Sequence, residues 1–390
     1  MHIYDYVIIG SGLTGLTIAS KISEESKNVL ILESENHTGG AHRPATLQNQ
    51  TIENGLRFYP NTDLSMKALL QLEDFLGLKL VKSTKENLPE TYDASGFKSF
   101  VGFGEKPPEF YSQLSYFLNA NEIELTLPVH QILNLIKDKF QGDIQTKSYV
   151  TKFNFTDDKL THLTVNGTKQ IYANNFIFTG NVRDLAVLMP DEFLNLRAKA
   201  KLKKDTAWMG LCLDLFHEIK PELEAIEKNN LFILNGTTDD DIGPCVGRFN
   251  AKFDAQTNAT MQTEIMQTEI ITQISQWMSF VDVDTAEETE NIAEVLKKMK
   301  RQIKRAFPEM AENIKGERLY MTSPLSCGEI KFNSNGTLHK VDNLWIASPQ
   351  VNPYPNLLGS LLQSQMTLAA LGFGAAPMVT TGSPESAELV

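Results

Sequence analysis

Apolar and polar positions along this chain fall into three regimes. Unbroken apolar runs come first. Tyr6-Val7-Ile8-Ile9 stops at Gly10, a helical stretch from Leu16 to Ile22 follows, and Val29 to Leu32 stops at the acid Glu33. Such runs predict strands covered on both faces, with a crossover helix between them. Residues 76–145 form the second regime. Within Glu109 to Phe140, apolar residues recur at three- and four-residue spacing (Leu114, Phe117, Leu118, then Ile132, Leu135, Ile136), so this region is expected to be mainly helical, punctuated by Pro107-Pro108 and Pro128. Alternation takes over from residue 149. Tyr149 to Phe155 and Leu160 to Val165 flank Asp157-Asp158-Lys159, Asn166-Gly167 turns before Gln170-Ile171-Tyr172, and the run Asn175 to Thr179 ends on Gly180. These are hairpin signals. Further on, Trp208 to Phe216 reads as a strand, Thr285 to Phe307 as an amphipathic helix with a solvated basic face ending at Pro308, and Asp342 to Ser348 as a strand before a helix reaching about Leu371.

The first turn carries the most chemistry. Gly10-Ser11-Gly12-Leu13-Thr14-Gly15 joins a strand to a helix, and Glu33 closes the next strand. A dinucleotide-binding βαβ unit has this arrangement. Gly10 permits the sharp turn, Gly12 lets backbone approach a pyrophosphate, and Gly15 packs the helix on the strand. The helix N-terminus presents free N–H groups and the positive end of its dipole to phosphate. Glu33 can accept hydrogen bonds from a ribose diol, and its charge repels a 2′-phosphate, which narrows the choice to NAD or FAD.

Asn36-His37-Thr38-Gly39-Gly40-Ala41-His42-Arg43 then places a second glycine pair shortly after Glu33. A second close backbone approach suits the longer cofactor, FAD. Here the chain resembles the flavoprotein group of amine oxidases, protoporphyrinogen oxidases and phytoene desaturases, whose pattern runs Glu-x-x-x-Arg-x-Gly-Gly-Arg. The glycines match; His37 replaces the first arginine and Ala41 the second. The Asn-His-x-Gly-Gly variant is similar to UDP-galactopyranose mutase, which shares this FAD fold.

The resemblance implies an α/β fold: a Rossmann-like FAD-binding domain with an interleaved α+β substrate domain. Residues 1–75 would be the first FAD-binding segment, 76–145 a helical substrate-domain segment, 146–199 strands returning to the FAD-binding domain, 200–315 the substrate domain, 316–376 the last FAD-binding segment and 377–390 a disordered tail. By position, the backbone near Val150 would meet the adenine. The helix after Tyr354-Pro355-Asn356-Leu357-Leu358-Gly359-Ser360 would point at the flavin pyrimidine edge. The Gly-Glu or Gly-Asp usual after the closing strand is absent; Ser348 and Gln350 stand in that neighbourhood. The implied cofactor-binding set is Gly10, Gly12, Leu13, Thr14, Gly15, Glu33, Ser34, Gly39, Gly40, Ala41, His42, Arg43, Val150, Ser348, Gly359 and Ser360. Arg57 and Tyr59, in Glu53-Asn54-Gly55-Leu56-Arg57-Phe58-Tyr59-Pro60, are candidate catalytic residues beside the ring, with a surface ion pair and a core aromatic as their plainer roles.

Composition changes the picture mainly by exclusion. A net charge of −12 argues against nucleic acid as a partner, and 42% hydrophobic residues is ordinary for a soluble protein. Cys212, Cys245 and Cys327 are widely spaced, offering neither a disulfide framework nor a metal motif, which suggests a cytoplasmic setting. Covalent flavin attachment through Cys327 is the less ordinary role for that residue. A strand beginning a few residues from Met1 leaves no room for a signal peptide, and no apolar run reaches transmembrane length. The Asp239-Asp240-Asp241 acids lack calcium-loop spacing, and the doubled Met-Gln-Thr-Glu-Ile of 261–270 is too short for a repeat architecture. The expected activity is removal of a hydride from a small organic substrate at flavin N5. Many amine oxidases carry a lysine on a substrate-domain strand, and Trp208 to Leu213 has none, which favours an apolar or cyclic substrate over a simple amine. A mutase-like flavin isomerase and a non-catalytic flavin-binding partner protein are the alternatives. The Tyr-Arg-Ser run of the mutases is absent.

Overall fold

The computed structural model describes residues 2–48, 50–55, 58–93, 96–103, 111, 114–115, 118–204, 208–219, 231–234, 244–249, 271–322, 337–338, 341–352, 354 and 356–374. Arg57, Cys327, Asp239 to Asp241, the doubled pentapeptide and the 377–390 tail lie outside them.

The chain opens with β1 (Ile3–Ile9), α1 (Leu13–Ile22) and β2 (Val29–Leu32), then a hairpin of β3 (Pro44–Leu47) and β4 (Gln50–Glu53). The next helix, α2 (Asp63–Leu76), starts where the Thr62 hydroxyl accepts the Ser65 amide hydrogen and ends at Gly77, φ 72°. Four short strands follow: β5 (Val81–Lys85), β6 (Glu90–Asp93), β7 (Gly96–Ser99) and β8 (Glu122–Leu125). Among the described residues of 76–145, short strands thus stand beside helix where the periodicity predicts mainly helix. Among the described residues, α3 (Val129–Lys139), with Val129, Ile132, Leu133 and Ile136 buried, and the helical positions Tyr111, Leu114, Ser115 and Leu118 answer to that periodicity. The missed strands are largely polar, and apart from the β6–β7 hairpin they pair with residues about 40 to 140 positions away, so local pattern carries little trace of them.

After β9 (Asp143–Gln145) come β10 (Val150–Thr156), β11 (Lys159–Val165) and the ten-residue β12 (Lys169–Phe178). The hairpin turns are as expected, with Asp157 and Asn166 at φ 51°. The long strands β13 (Trp208–Ile219) and β16 (Ile271–Asp282) enclose β14 (Phe232–Leu234) and β15 (Cys245–Phe249) in sequence. Then come α4 (Thr289–Ala306), β17 (Ile314–Met321), β18 (Thr337–Leu338), β19 (Val341–Ile346) and α5 (Asn356–Ala370).

Two large sheets result. Among the described residues the first has the order β10-β11-β12-β1-β2-β9, with β19 and then β18 added beside β12. Its centre is parallel: β1 lies between β2 and β12, and Phe176–Phe178 of β12 also pairs with Leu344–Ile346 of β19. The side chains of α1, α2, α3 and α5 cover one face. The second sheet has the order β17-β13-β16-β15-β14-β6-β7, and α4 packs Val295, Met299 and Ile303 against one of its faces. Because β17 runs to Met321, the second sheet extends past the expected boundary at 315, and β9 joins the first sheet before 146.

His217, in β13, is fully buried beside Phe249, with ring centroids 5.9 Å apart, and neither ring nitrogen has a hydrogen-bond partner. Burial pushes its pKa down to about 4. The unfolded chain takes up a proton near the ordinary histidine value while the folded chain does not, so stability present above that value drains away as pH falls towards about 4. Replacing His217 by Phe is expected to remove about 2 kcal/mol of the stability lost between neutral pH and about pH 4.5. Urea titrations at several pH values check this, and an unchanged pH slope would refute it.

Candidate functional site

The glycine turn has an internal logic. Gly10 sits at φ +106°, and a Cβ there would lie 2.5 Å from the Thr179 hydroxyl. A Cβ on Gly15 would overlap the carbonyl oxygen of Gly10. These two glycines are demanded by the way α1 meets the ends of β1 and β12. Gly12 is different: it has an ordinary φ of −69°, and a Cβ there would meet nothing within 4 Å. Its missing side chain leaves open space at the start of α1. Gly12 is also the helix N-cap and supplies no side-chain cap, while Leu13, Thr14 and Gly15 are buried. A buried first turn without a capping side chain leaves N–H groups that an anion can accept from.

Glu33 lies across the turn. It is buried, and its Oε2 accepts from the Ser11 amide at 2.9 Å and the Ser11 hydroxyl at 2.5 Å. Its Oε1 accepts from the Glu35 amide at 2.9 Å and the Ser34 hydroxyl at 3.2 Å. Burial alone would raise its pKa, but these hydrogen bonds outweigh that and hold the carboxyl below its ordinary value. The carboxylate is thus charged at neutral pH. A ribose hydroxyl would take over from the longest of these bonds, that of the Ser34 hydroxyl.

The second glycine pair finds its place inside the first turn. Gly39 donates its amide to the Ser11 carbonyl at 3.0 Å, and a Cβ on Gly40 would lie 3.0 Å from the Gly12 Cα. Both have positive φ, 116° and 54°. Packing against the first turn explains them without any cofactor. Ala41 and Arg43 are exposed and His42 is buried; the Arg43 guanidinium lies 3.1 Å from His37 Nδ1.

The other expected residues come from distant segments. Glu33 donates its amide to the Gln145 carbonyl and accepts the Ser148 amide, which draws the start of β10, and so Val150, alongside. Ser348 is fully buried just after β19, where the Ala347 amide bonds to the Phe178 carbonyl. The Gln350 carbonyl oxygen accepts the Val182 amide at 2.9 Å, so this side chain holds the closing loop. Thr14 donates to the Ser360 carbonyl at 3.3 Å, tying α1 to α5. A Cβ on Gly359 would overlap the Tyr354 carbonyl oxygen, and Asn352 donates to the Gly359 carbonyl at 2.9 Å. Tight packing against its own loop accounts for this glycine. Tyr59 is buried in the core under α1, α2 and α5.

Two residues were not anticipated. Ser11 orients Glu33 through both its amide and its hydroxyl. Thr179, at the end of β12, donates to the Ile9 carbonyl at 2.8 Å and packs on Gly10. Ser11 stood within the motif; the Thr179 contact spans 170 residues and has no local signal. Among the described residues no cluster of His, Cys, Asp or Glu is placed to hold a metal ion, and no helix is long and apolar enough to cross a membrane.

Residues 8–71 match the family of NAD(P)-binding Rossmann-like domains. Over 131 residues, 32% of this chain, the sequence is 33% identical to the flavin-containing amine oxidase A of Equus caballus, a match spanning 23% of that relative. Among solved structures, a candidate protoporphyrinogen oxidase from Exiguobacterium sp. 255-15 superposes with a TM-score of 0.67 at 12% identity, covering 95% of this chain and 100% of the other. An oxidoreductase from Methanosarcina mazei gives 0.67 at 12% identity over 94% and 100%. Putrescine oxidase bound to putrescine gives 0.62 at 11% identity over 95% and 99%. The chain therefore has a Rossmann-like α/β unit within a two-sheet fold shared with these oxidases.

Proposed function

We propose that this protein is an FAD-dependent oxidoreductase acting on a small organic substrate. The observation that carries the reading is the open space at Gly12, at the buried, uncapped start of α1 and beside an ionised Glu33. In that position the first N–H groups of α1 would hold a pyrophosphate and Glu33 a ribose diol, while its charge turns away a 2′-phosphate. Supporting FAD over NAD are the second sheet and the fold shared with amine oxidase-like proteins, including one described with bound putrescine. When bound, FAD supplies a site, N5, that accepts a hydride from the substrate. The chain's own residues bind and orient: α1, Glu33 and Val150 along the nucleotide, and Ser348, Gly359 and Ser360 at the closing helix. The dipole of α5 favours negative charge at its N-terminus by about 0.3–2 kcal/mol. Arg57 remains the proposed catalytic residue, while Tyr59, buried under α1, α2 and α5, takes its plainer role as a core aromatic.

The purified protein is expected to be yellow and to release FAD on mild denaturation. Mass spectrometry of the supernatant checks this; NAD alone, or apoprotein that takes up no FAD, would sink the reading. Glu33→Ala is expected to weaken FAD binding by about one to two decades without unfolding the chain, since hydrogen bonds to a charged acceptor contribute about 1.5–3 kcal/mol. An unchanged affinity on titrating apoprotein would reduce Glu33 to a structural partner of Ser11.

A further inference from the structure

We propose that two ion pairs, Arg318–Asp214 within the second sheet and Arg248 of that sheet with Glu122 of β8, form a two-point clamp on the cofactor-domain segments Glu53–Gly55 and Tyr59–Asn61, and act as positioning residues that set this sheet over the bound cofactor. The inference rests on the flavoprotein reading and adds to it the means by which the two halves of the site are held in register.

At the first point, Arg318 reaches across from β17. One arm donates to Asp214 Oδ2 at 2.8 Å and the other to Asn54 Oδ1 at 2.6 Å. The guanidinium also lies over the Tyr320 ring, 4.1 Å from its centroid, and the Tyr320 hydroxyl accepts the Gly55 amide. Gln276 of β16 donates to both Asp214 Oδ1 at 3.2 Å and the Glu53 carbonyl at 2.8 Å. Three consecutive cofactor-domain residues are thus gripped by side chains of β16 and β17, with Asp214 of the intervening β13 bracing both.

At the second point, Arg248 of β15 donates to Glu122 Oε1 at 2.8 Å, and both side chains are almost fully buried, at 5% and 6% exposure. Glu122 begins β8. Next to it the Ile123 amide donates to the Tyr59 carbonyl at 2.7 Å and the Asn61 amide to the Asn121 carbonyl. The order of contacts keeps step along the sheet. Ile52 packs with Ile274, Glu53 meets Gln276, Gly55 lies against Met278, and Phe58 joins the cluster of Met278 and Phe280. Apolar contacts alone permit sliding by a pleat. Ion pairs whose neighbours Gln276, Tyr320 and Ile123 bond to fixed backbone atoms at each end do not.

The test compares FAD-loaded wild type with Arg318→Met, Arg318→Lys and Asp214→Asn, by amide hydrogen exchange and by visible circular dichroism of the bound flavin. In Arg318→Met, exchange at Asn54 and Gly55 is expected to rise about tenfold, with β1, β2 and the Ile123 amide still protected, and the flavin dichroism to change. Arg318→Lys keeps a charge for Asp214 but lacks the second arm, so an intermediate exchange rate is expected. Unchanged exchange at Gly55, exchange rising equally over both sheets, or local opening with an unaltered flavin signal would each overturn the proposal. Wild-type protein that takes up no FAD would instead overturn the flavoprotein reading, while the exchange measurements, which need no cofactor, still decide the clamp.

Discussion

Gly12→Ala is expected to fold normally and lose its cofactor, while Gly15→Ala, three residues on, is expected to lose stability first. The two glycines look equivalent in the motif and differ in what surrounds them. A methyl group at Gly12 enters open space at an ordinary backbone conformation, so the fold should change by no more than about 0.5 kcal/mol. That same methyl occupies the approach a pyrophosphate needs, and FAD affinity should fall by about a hundredfold, or roughly 2.7 kcal/mol. At Gly15 the methyl overlaps the Gly10 carbonyl, which belongs to the turn itself and cannot swing aside. Either α1 moves off the sheet or the turn opens, at a cost of about 3 kcal/mol. Thermal melts of the apoproteins beside FAD titrations separate the cases. A destabilised Gly12→Ala, or a Gly15→Ala with wild-type melting, would mean that the turn is packed differently from this description.

The second large effect concerns Arg248. Substituting Met keeps the aliphatic stem but leaves Glu122 buried at 6% exposure without its cation. Breaking one side of a buried pair costs about 3–5 kcal/mol, mostly from the charge left behind. Adding Glu122→Gln should restore much of that loss, because a neutral amide tolerates burial far better. A double variant no more stable than Arg248→Met would show that the lost stability lay in the packing of the arginine stem.

The sequence was informative where structure is local. The β1–α1–β2 unit could be read from two apolar runs and a glycine spacing because all its determinants lie within Ile3 to Glu33, and the hairpins at Asp157 and Asn166 follow from turn chemistry. The β5–β8 strands could not be read in this way. β5 runs intermediate and exposed along its length, and β6, besides its hairpin with β7, joins the sheet by pairing with Phe232–Leu234, about 140 residues away. The same limit applies to the site. Glu33 and Gly12 were legible from the motif. The second glycine pair was legible as a pair but not in its role, since its partner, Gly12, was assigned to the cofactor alone. The Arg248–Glu122 contact, 126 residues apart, leaves no pattern at either end.

The parallel order of the first sheet also bears on how the protein is made. β12 is flanked by β1 from the start of the chain and β19 from near its end, and α1 is covered by α5, with Thr14 and Ser360 separated by 346 residues. During synthesis the ribosome therefore presents the nucleotide turn first, and the helix that seals it last. Until residues 341–370 emerge, the part of α1 that packs on α5 remains uncovered and one edge of β12 stays open, a nascent surface suited to chaperones and prone to self-association. Closing loops of that length places this chain among slow folders, and cofactor supplied during translation has a half-built cradle to wait in.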